Sequence, residues 1–337
     1  MLKILEGLNI QTSKVTRTLD NLVLTIYGVN GVGKTPVATS FPKALYFATG
    51  HSGLTGLANV NFIPIRTWAE FKKAVKTVTN PKDYDEIHSE IETLVIDEVE
   101  TLFNDYCTSY VCSTEGVNKI KEGNSGYGLW KELETEWRNT INKVLSSGFA
   151  VVFILHAVAD DTGKMYPSGD TKRMLPVILN ASDAIAYMEP AGLDGDGKPV
   201  YSSLRLADSE VAFARTRNPF WSQKYPVIEQ VTAKNLIDSY FDAIDTQAKS
   251  QGAQVISREE QEKQYQNSED QVPFDELLTA TKKLCSEVQN KFGSADKALE
   301  VIEETLGAGK KLSACTEKQR GAVQNIKNEL EGLLKEG

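Results

Sequence analysis

Gly28-Val29-Asn30-Gly31-Val32-Gly33-Lys34-Thr35 decides the reading of this chain, because it carries the full Gly-x-x-x-x-Gly-Lys-Thr pattern. The apolar run Leu22–Tyr27, rich in strand formers, precedes it, and residues 35–40 read as the first turns of a helix. In that setting each residue type has a mechanical sense. Glycines let backbone N–H groups turn inward around phosphates, and the helix N-terminus adds a favourable dipole. A lysine at position 34 reaches the outer phosphates, and a threonine hydroxyl at position 35 ligates Mg²⁺. All eight residues are therefore expected to hold the phosphates of ATP. Pro36 is harmless so early in a helix, since its missing N–H would be unpaired anyway.

Working outward, Thr93–Asp97 is a buried-type strand ending on a carboxylate, the expected second Mg²⁺ ligand. Glu98 follows at once. It reads either as the base that polarises attacking water or as a first-turn acid of the next helix. Further strands are expected at Ala44–Ala48, 61–65 and, most strongly, Phe149–Leu155. Helices are expected at Thr67–Val78 and from Trp130, where Leu133, Trp137, Ile141, Val144 and Leu145 recur at helical spacing. Strands alternating with helices predict an α/β fold, a mostly parallel sheet between helices. Strands near Ala184–Met188, Ser203–Leu206 and Val211–Ala214, with a turn at Gly192–Lys198, predict an antiparallel extension, and Val231–Ala248 a helix. The polar segment Ser250–Pro273 reads as a linker. Beyond it, Phe274–Phe292, Asp296–Leu306 and a helix capped by Thr316 and Gln319 form a small helical module. The expected organisation is thus a core over 1–249, a linker over 250–273 and a helical module over 274–337.

The chain has 337 residues, 41% hydrophobic and 25% charged, which suits a globular protein with one large domain and an appendage. No apolar stretch is long enough for a membrane span, and the first residues lack the basic-then-apolar layout expected of a signal peptide. Four scattered cysteines fit a reducing cytoplasm, that of a bacterial host if the chain is phage-encoded. Cys107 and Cys112 have a spacing seen in some metal sites, but no second close pair or nearby histidine completes a ligand set. A net charge of −9 argues against a polycation coating nucleic acid, so any such contact must be concentrated in local basic loops.

The order of features over about residues 20–230 resembles the RecA-like P-loop ATPases. The likeness is greatest to phage-encoded members associated with single-strand annealing and recombination. Four features carry it: the glycine loop, the strand ending at Asp97, His156 just past the strand Phe149–Leu155, and Arg215-Thr-Arg217-Asn-Pro-Phe220. The resemblance implies that His156 senses the γ-phosphate and signals to a DNA-binding loop at Ala157–Leu175, containing Lys164, Tyr166, Lys172 and Arg173. It places the family's other DNA loop at Ser113–Tyr127, with Lys119, Lys121 and Tyr127. It also implies that Arg215 and Arg217, two apart on one strand face, reach a neighbour's γ-phosphate, so that the protein works as a homo-oligomeric ring or filament on single-stranded DNA. The family usually carries a glutamate just beyond the second strand. Residues 46–53 have no acid, so either Glu98 substitutes or nucleotide acts mainly as an assembly switch.

Other classes fit less well. The guanine signature of a GTPase is missing after Asp97, and a small-molecule kinase would normally show an arginine-rich lid that this chain lacks. A scaffold that binds nucleotide without turnover, recruiting a recombinase or single-strand-binding protein through the 274–337 helices, remains the non-enzymatic alternative.

Overall fold

The protein is described by a computed structural model covering residues 14–50, 57–80, 83–190, 192, 195–196, 202–256, 260, 273–307, 309–316 and 319–335. The chain divides into two compact units, one spanning Thr12–Arg258 and the other taking in the residues from 260 onward.

The larger unit is built on strands β1 (Val15–Thr16), β2 (Val23–Gly28), β3 (Ala44–Thr49), β4 (Asn61–Ile65), β5 (Thr93–Ile96), β6 (Ala150–Ala159), β7 (Met165–Pro167), β8 (Ala184–Glu189), β9 (Ser203–Arg205), β10 (Arg215–Thr216), β11 (Val227–Ile228) and β12 (Val255–Ile256). The main sheet runs in the order β11-β9-β8-β2-β6-β5-β3-β4. From β8 to β4 every neighbouring pair is parallel, while β9 and β11 add antiparallel strands at the far edge. The α/β fold with a mostly parallel sheet is therefore present. β10 and β7 pair antiparallel with β8 and β6, off the main path.

Alternation along β2 shows why both faces are covered. Val23 and Tyr27 join a core containing Trp68, Phe71, Leu133 and Trp137, whereas Leu24 and Ile26 join one containing Ala38, Trp221, Leu236 and Ala243. The first core is supplied by α2 (Trp68–Val78) and α6 (Trp130–Leu145); the second by α1 (Lys34–Thr39), α8 (Pro219–Lys224) and α9 (Ala233–Gln251). Cap residues set where these helices begin. The Thr67 hydroxyl accepts from Glu70 N, and Thr232 and Asn235 cap each other reciprocally at the start of α9. Three shorter helical segments follow one another after β5: α4 (Val99–Thr101), a π-helical stretch Leu102–Cys107, and α5 (Thr108–Thr114). Cys107 and Cys112 lie in the first core, and burial pushes both thiols above their ordinary range. The remaining helices of this unit are α3 (Tyr84–Glu90) and α7 (Leu175–Ala181).

Two expectations need correction. The strand expected at Val211–Ala214 forms only a single bridge, Ala212 to Met165, and the paired residues are Arg215–Thr216 instead. The segment read as a linker from Ser250 begins with ordered structure: α9 runs to Gln251, and β12 pairs in parallel with β1. Composition hid this, because a two-residue strand carries no periodicity. The rest of that segment, apart from Glu260 and Pro273, and most of the expected turn at 192–198 lie outside the described residues. A chain ending at Arg258 is accordingly expected to fold and bind nucleotide. One ending at residue 250 loses the buried Ile256 and should be about 2–3 kcal/mol less stable. Thermal melts and nucleotide titrations of the two truncations check this, and equal melting of both would show that β12 contributes nothing.

The smaller unit packs α10 (Phe274–Phe292), α11 (Asp296–Leu306) and α12 (Arg320–Lys335) around Leu277, Val288, Val301, Ile302, Val323, Ile326 and Leu330. Residues 317 and 318 of the expected cap lie outside the described residues, but Thr316 N donates to Gln319 Oε1 at 3.1 Å. Among the described residues no helix is long and apolar enough to cross a membrane.

Candidate functional site

The site sits at the carboxyl ends of β2, β6 and β5, where the parallel strands release their loops. β2 ends on Gly28, and Gly31 and Gly33 adopt φ of 80° and 91°, the left-handed region that lets the loop turn back on itself. Gly33 directly precedes α1, so the loop leads into the helix N-terminus. Lys34 is 7% exposed, and its ammonium donates to Gly28 O at 2.8 Å and Val29 O at 2.9 Å. Burial pulls its pKa below the ordinary lysine value, with Asp97 and Glu100 pulling it back up.

Asp97 closes the metal half of the site. Its Oδ2 accepts from the Thr35 hydroxyl at 2.8 Å and the Tyr46 hydroxyl at 2.6 Å, while Oδ1 accepts from Glu98 N at 2.8 Å. The Thr49 hydroxyl donates to the Asp97 carbonyl. Thr35 and Asp97, 62 residues apart, thus bring two oxygen donors together beside the loop, the hard donor set that suits Mg²⁺. Among the described residues no group of three or more His, Cys, Asp and Glu could hold a metal. Tyr46 was overlooked in sequence because it sits within an apolar run; its hydroxyl is what pins Asp97 from β3.

Glu98 has φ of 47° and ψ of 51°, a left-handed backbone unusual for a side chain of its size. The turn carries its carboxylate to the end of β3. A methyl placed on Gly50 would overlap Glu98 Oε2, so the carboxylate lies directly against the backbone there. Residues 46–50 at the end of the second strand carry no acid, and the acid beside them is Glu98, from the turn after β5. Residues 51–53 of that segment lie outside the described residues.

His156 lies opposite Gly28 in the β2–β6 register; it was expected just past a strand ending at Leu155, but β6 runs on to Ala159, so His156 sits within the strand. Its ring Nδ1 is 3.5 Å from Glu100 Oε1, and the same oxygen accepts its backbone N–H at 2.6 Å. That contact with Glu100 raises its pKa, against the opposing effect of burial. Glu100 went unnoticed in sequence, where an acid in a first helical turn reads as an ordinary dipole partner.

The arginines lie elsewhere. Arg215 pairs in register with Ile185 and Arg217 N donates to Asp183 O, which places both near the amino end of the sheet. β2 alone separates that end from Gly28 by about 16 Å, at roughly 3.3 Å per residue. Their side chains donate to the carbonyls of Leu179 and Asn180, in the last turn of α7, and Arg217 also pairs with Asp183 at 3.6 Å. Cations at a helix C-terminus meet its negative dipole end, so both arginines have a job within the chain. A role at a neighbour's phosphate would require them to leave it.

The two segments expected to meet nucleic acid are linked by one contact at their edges, Arg173 with Trp130. The first ends in a strained turn in which Asn124, Ser125, Gly126 and Gly128 all have positive φ, and between them Tyr127 is 83% exposed. Glu122 holds its base by accepting from Asn118 N and Lys119 N, and Lys119 and Lys121 are exposed. The second folds as the hairpin β6–β7 and a following turn, not as an open loop. Arg173 from this turn lies over the Trp130 ring at 4.5 Å, three residues past Tyr127. Lys164 pairs with Asp208 at 3.0 Å and Arg173 with Asp170 at 3.4 Å, whereas Lys172 is exposed.

A cleft of about 380 Å³ adjoins the loop, lined by Val32, Gly33, Pro36, Val37, Val231 and Thr232. A larger hollow of about 560 Å³ between α2 and α5 shares none of the phosphate-site residues.

A glycine loop entering a helix, a buried lysine and a Thr–Asp oxygen pair at the ends of parallel strands define a P-loop nucleotide-binding domain. Residues 20–218 match the AAA domain family, and the chain belongs to that family. Over 328 residues it is 38% identical to the SPbeta prophage-derived uncharacterized protein YorG of Bacillus subtilis (strain 168), covering 97% of this chain and 98% of that protein.

Proposed function

We propose that the chain is a RecA-like ATPase that hydrolyses ATP with Mg²⁺ and acts on single-stranded DNA. The observation that carries the catalytic part is the Glu98 carboxylate, turned by a left-handed backbone against Gly50 at the end of β3. In this reading the loop amides and Lys34 hold the phosphates, and the cleft beside Pro36 and Thr232 receives the base. Bound Mg²⁺ would be held by Thr35 and Asp97 and would neutralise charge on the phosphate oxygens. Glu98 takes a proton from the attacking water, and Tyr46 keeps Asp97 from turning away. The prophage origin of the similar protein supports a phage setting for this one.

The DNA part rests on the exposed turn at Tyr127 and the contact beside it. Tyr127 stands out, 83% exposed, from a turn of positive-φ residues, Lys119 and Lys121 flank its base, and three residues on Trp130 meets Arg173 from the turn that follows the β6–β7 hairpin. An exposed aromatic among lysines suits a stacked base and its phosphates. ATP turnover is therefore expected to rise with single-stranded DNA. Tyr127→Ala should weaken DNA binding by about 5- to 150-fold, the cost of one lost stacking contact. Turnover that ignores DNA, with Tyr127→Ala binding DNA normally, would leave a nucleotide-binding protein of another purpose. ATP binding without turnover would favour the scaffold.

A further inference from the structure

We propose that the hollow between α2 and α5 binds a nucleoside 5′-monophosphate whose base carries an amino group, and that its occupancy is felt at Glu98 through Tyr106. The second half rests on the ATP reading above. At about 560 Å³ the hollow has the size that takes one small ligand. Three of its lining residues are aromatic, Trp68, Tyr106 and Tyr110, and each is held by its polar end. Trp68 Nε1 donates to Glu136 at 2.7 Å, the Tyr110 hydroxyl accepts from Lys72 at 3.3 Å, and the Tyr106 hydroxyl accepts from Gly50 N at 3.2 Å. Rings fixed in this way lose little freedom when a flat group packs among them. The charged groups select the rest of the ligand. Arg66 and Asp105 line the same hollow, both exposed, and neither makes an ion pair among the described residues. The guanidinium offers a planar fork of donors that suits a phosphate, and the carboxylate accepts from an amino group on a base. A purely apolar ligand would leave both charges unused, and a bare phosphate would leave the rings unused.

Tyr106 joins this hollow to the reaction. Its hydroxyl holds the Gly50 amide, and a methyl on Gly50 would overlap Glu98 Oε2, so ring, amide and carboxylate are in consecutive contact. Tyr106 also sits in the π-helical stretch Leu102–Cys107, a turn that is rare in proteins and frequent at functional sites. A ligand packed on the ring restrains it. Through Gly50 the ligand then favours the placement of the Glu98 carboxylate described above, so turnover rises with occupancy. The hollow shares no residue with the loop at 28–35, and both are filled at once.

The test is a calorimetric titration of the whole chain with adenosine 5′-monophosphate (AMP). It is run with the loop saturated by a non-hydrolysable Mg-ATP analogue, and again in Lys34→Ala, where the loop does not compete. AMP should bind in both. Arg66→Ala should weaken it by about tenfold or more, the scale of a lost charged hydrogen bond, and adenosine and ribose 5-phosphate should each bind worse than AMP. AMP should raise ATP turnover by about fivefold or more. Tyr106→Phe keeps the ring and loses the hydroxyl, so it should bind AMP while its turnover no longer responds. A merely structural tyrosine would not separate binding from response in this way. No AMP binding in Lys34→Ala, binding indifferent to Arg66→Ala, binding of a short oligonucleotide but not of AMP, or an equal response in Tyr106→Phe would overturn the proposal. A chain that binds AMP but turns over no ATP would defeat the ATP reading alone. The link is then read from the Gly50 amide NMR signal, which AMP should move in the parent and not in Tyr106→Phe; an unmoved signal in the parent would overturn it. Should a variant fail to fold, nuclear Overhauser contacts in the unaltered chain between the base and the Tyr106 and Tyr110 rings decide the matter, and their absence would overturn the site.

Discussion

Lys34→Ala should bind ATP about 100-fold or more weakly than the parent chain while melting within a few degrees of it. The loss follows from charge. Each hydrogen bond from an ammonium to a phosphate oxygen is worth about 1.5–3 kcal/mol, and Lys34 is placed to make more than one. The unchanged stability is less obvious. In the free protein the ammonium satisfies the carbonyls of Gly28 and Val29, and removing it leaves a buried acceptor at Gly28. Against that, burial depresses the Lys34 pKa, so holding the charged form at neutral pH costs the folded state stability. That cost is present below both pKa values and disappears with the side chain. The two effects oppose each other, hence a small shift in melting. Calorimetric titration and a thermal melt check the two halves separately, and undiminished ATP affinity would remove the phosphate site from the loop altogether.

Glu98→Gln should keep ATP affinity and lose turnover by about 100-fold or more, the scale of a general base. A second variant reaches the same carboxylate from outside. Gly50→Ala puts a methyl where Glu98 Oε2 lies, at a backbone φ of 59° that itself disfavours alanine. The carboxylate must move, and turnover should fall with little change in affinity. Combining the two should be no worse than Glu98→Gln alone, because both act through one group. Wild-type turnover in Glu98→Gln would return the residue to a plain helix-start acid, and its unusual backbone would need another reason.

Much of this site was readable in the chain because its parts are local. The glycine loop, the strand ending at Asp97 and the polar residue after Leu155 each announce themselves within a few residues. What connects them is not local. Nothing in the order of residues says that β6 lies between β2 and β5, or that Glu100 meets His156 within β6, 56 residues away. Tyr46 looked like core and is core, except for one hydroxyl. The arginines share a side, as their spacing implies, but the spacing does not tell what lies there. β10 ends at Thr216, so Arg217 lies just beyond it, yet its side chain reaches the same end of α7 as that of Arg215. Both side chains then found the nearest unpaired carbonyls, those of a helix end.

The place of β6 has a use in measurement. It is paired to β2 from Val151 to His156 and to β5 from Ala150 to Phe153, so its central amides are shielded on both edges. Such amides exchange with solvent deuterium only when the whole unit opens. A ligand that binds the folded state alone makes that opening rarer, by about 100-fold at one hundred times its dissociation constant. Deuterium uptake at Val151–Phe153 therefore counts nucleotide occupancy from within the sheet, at residues the nucleotide never touches. The count works equally well in variants that cannot turn ATP over.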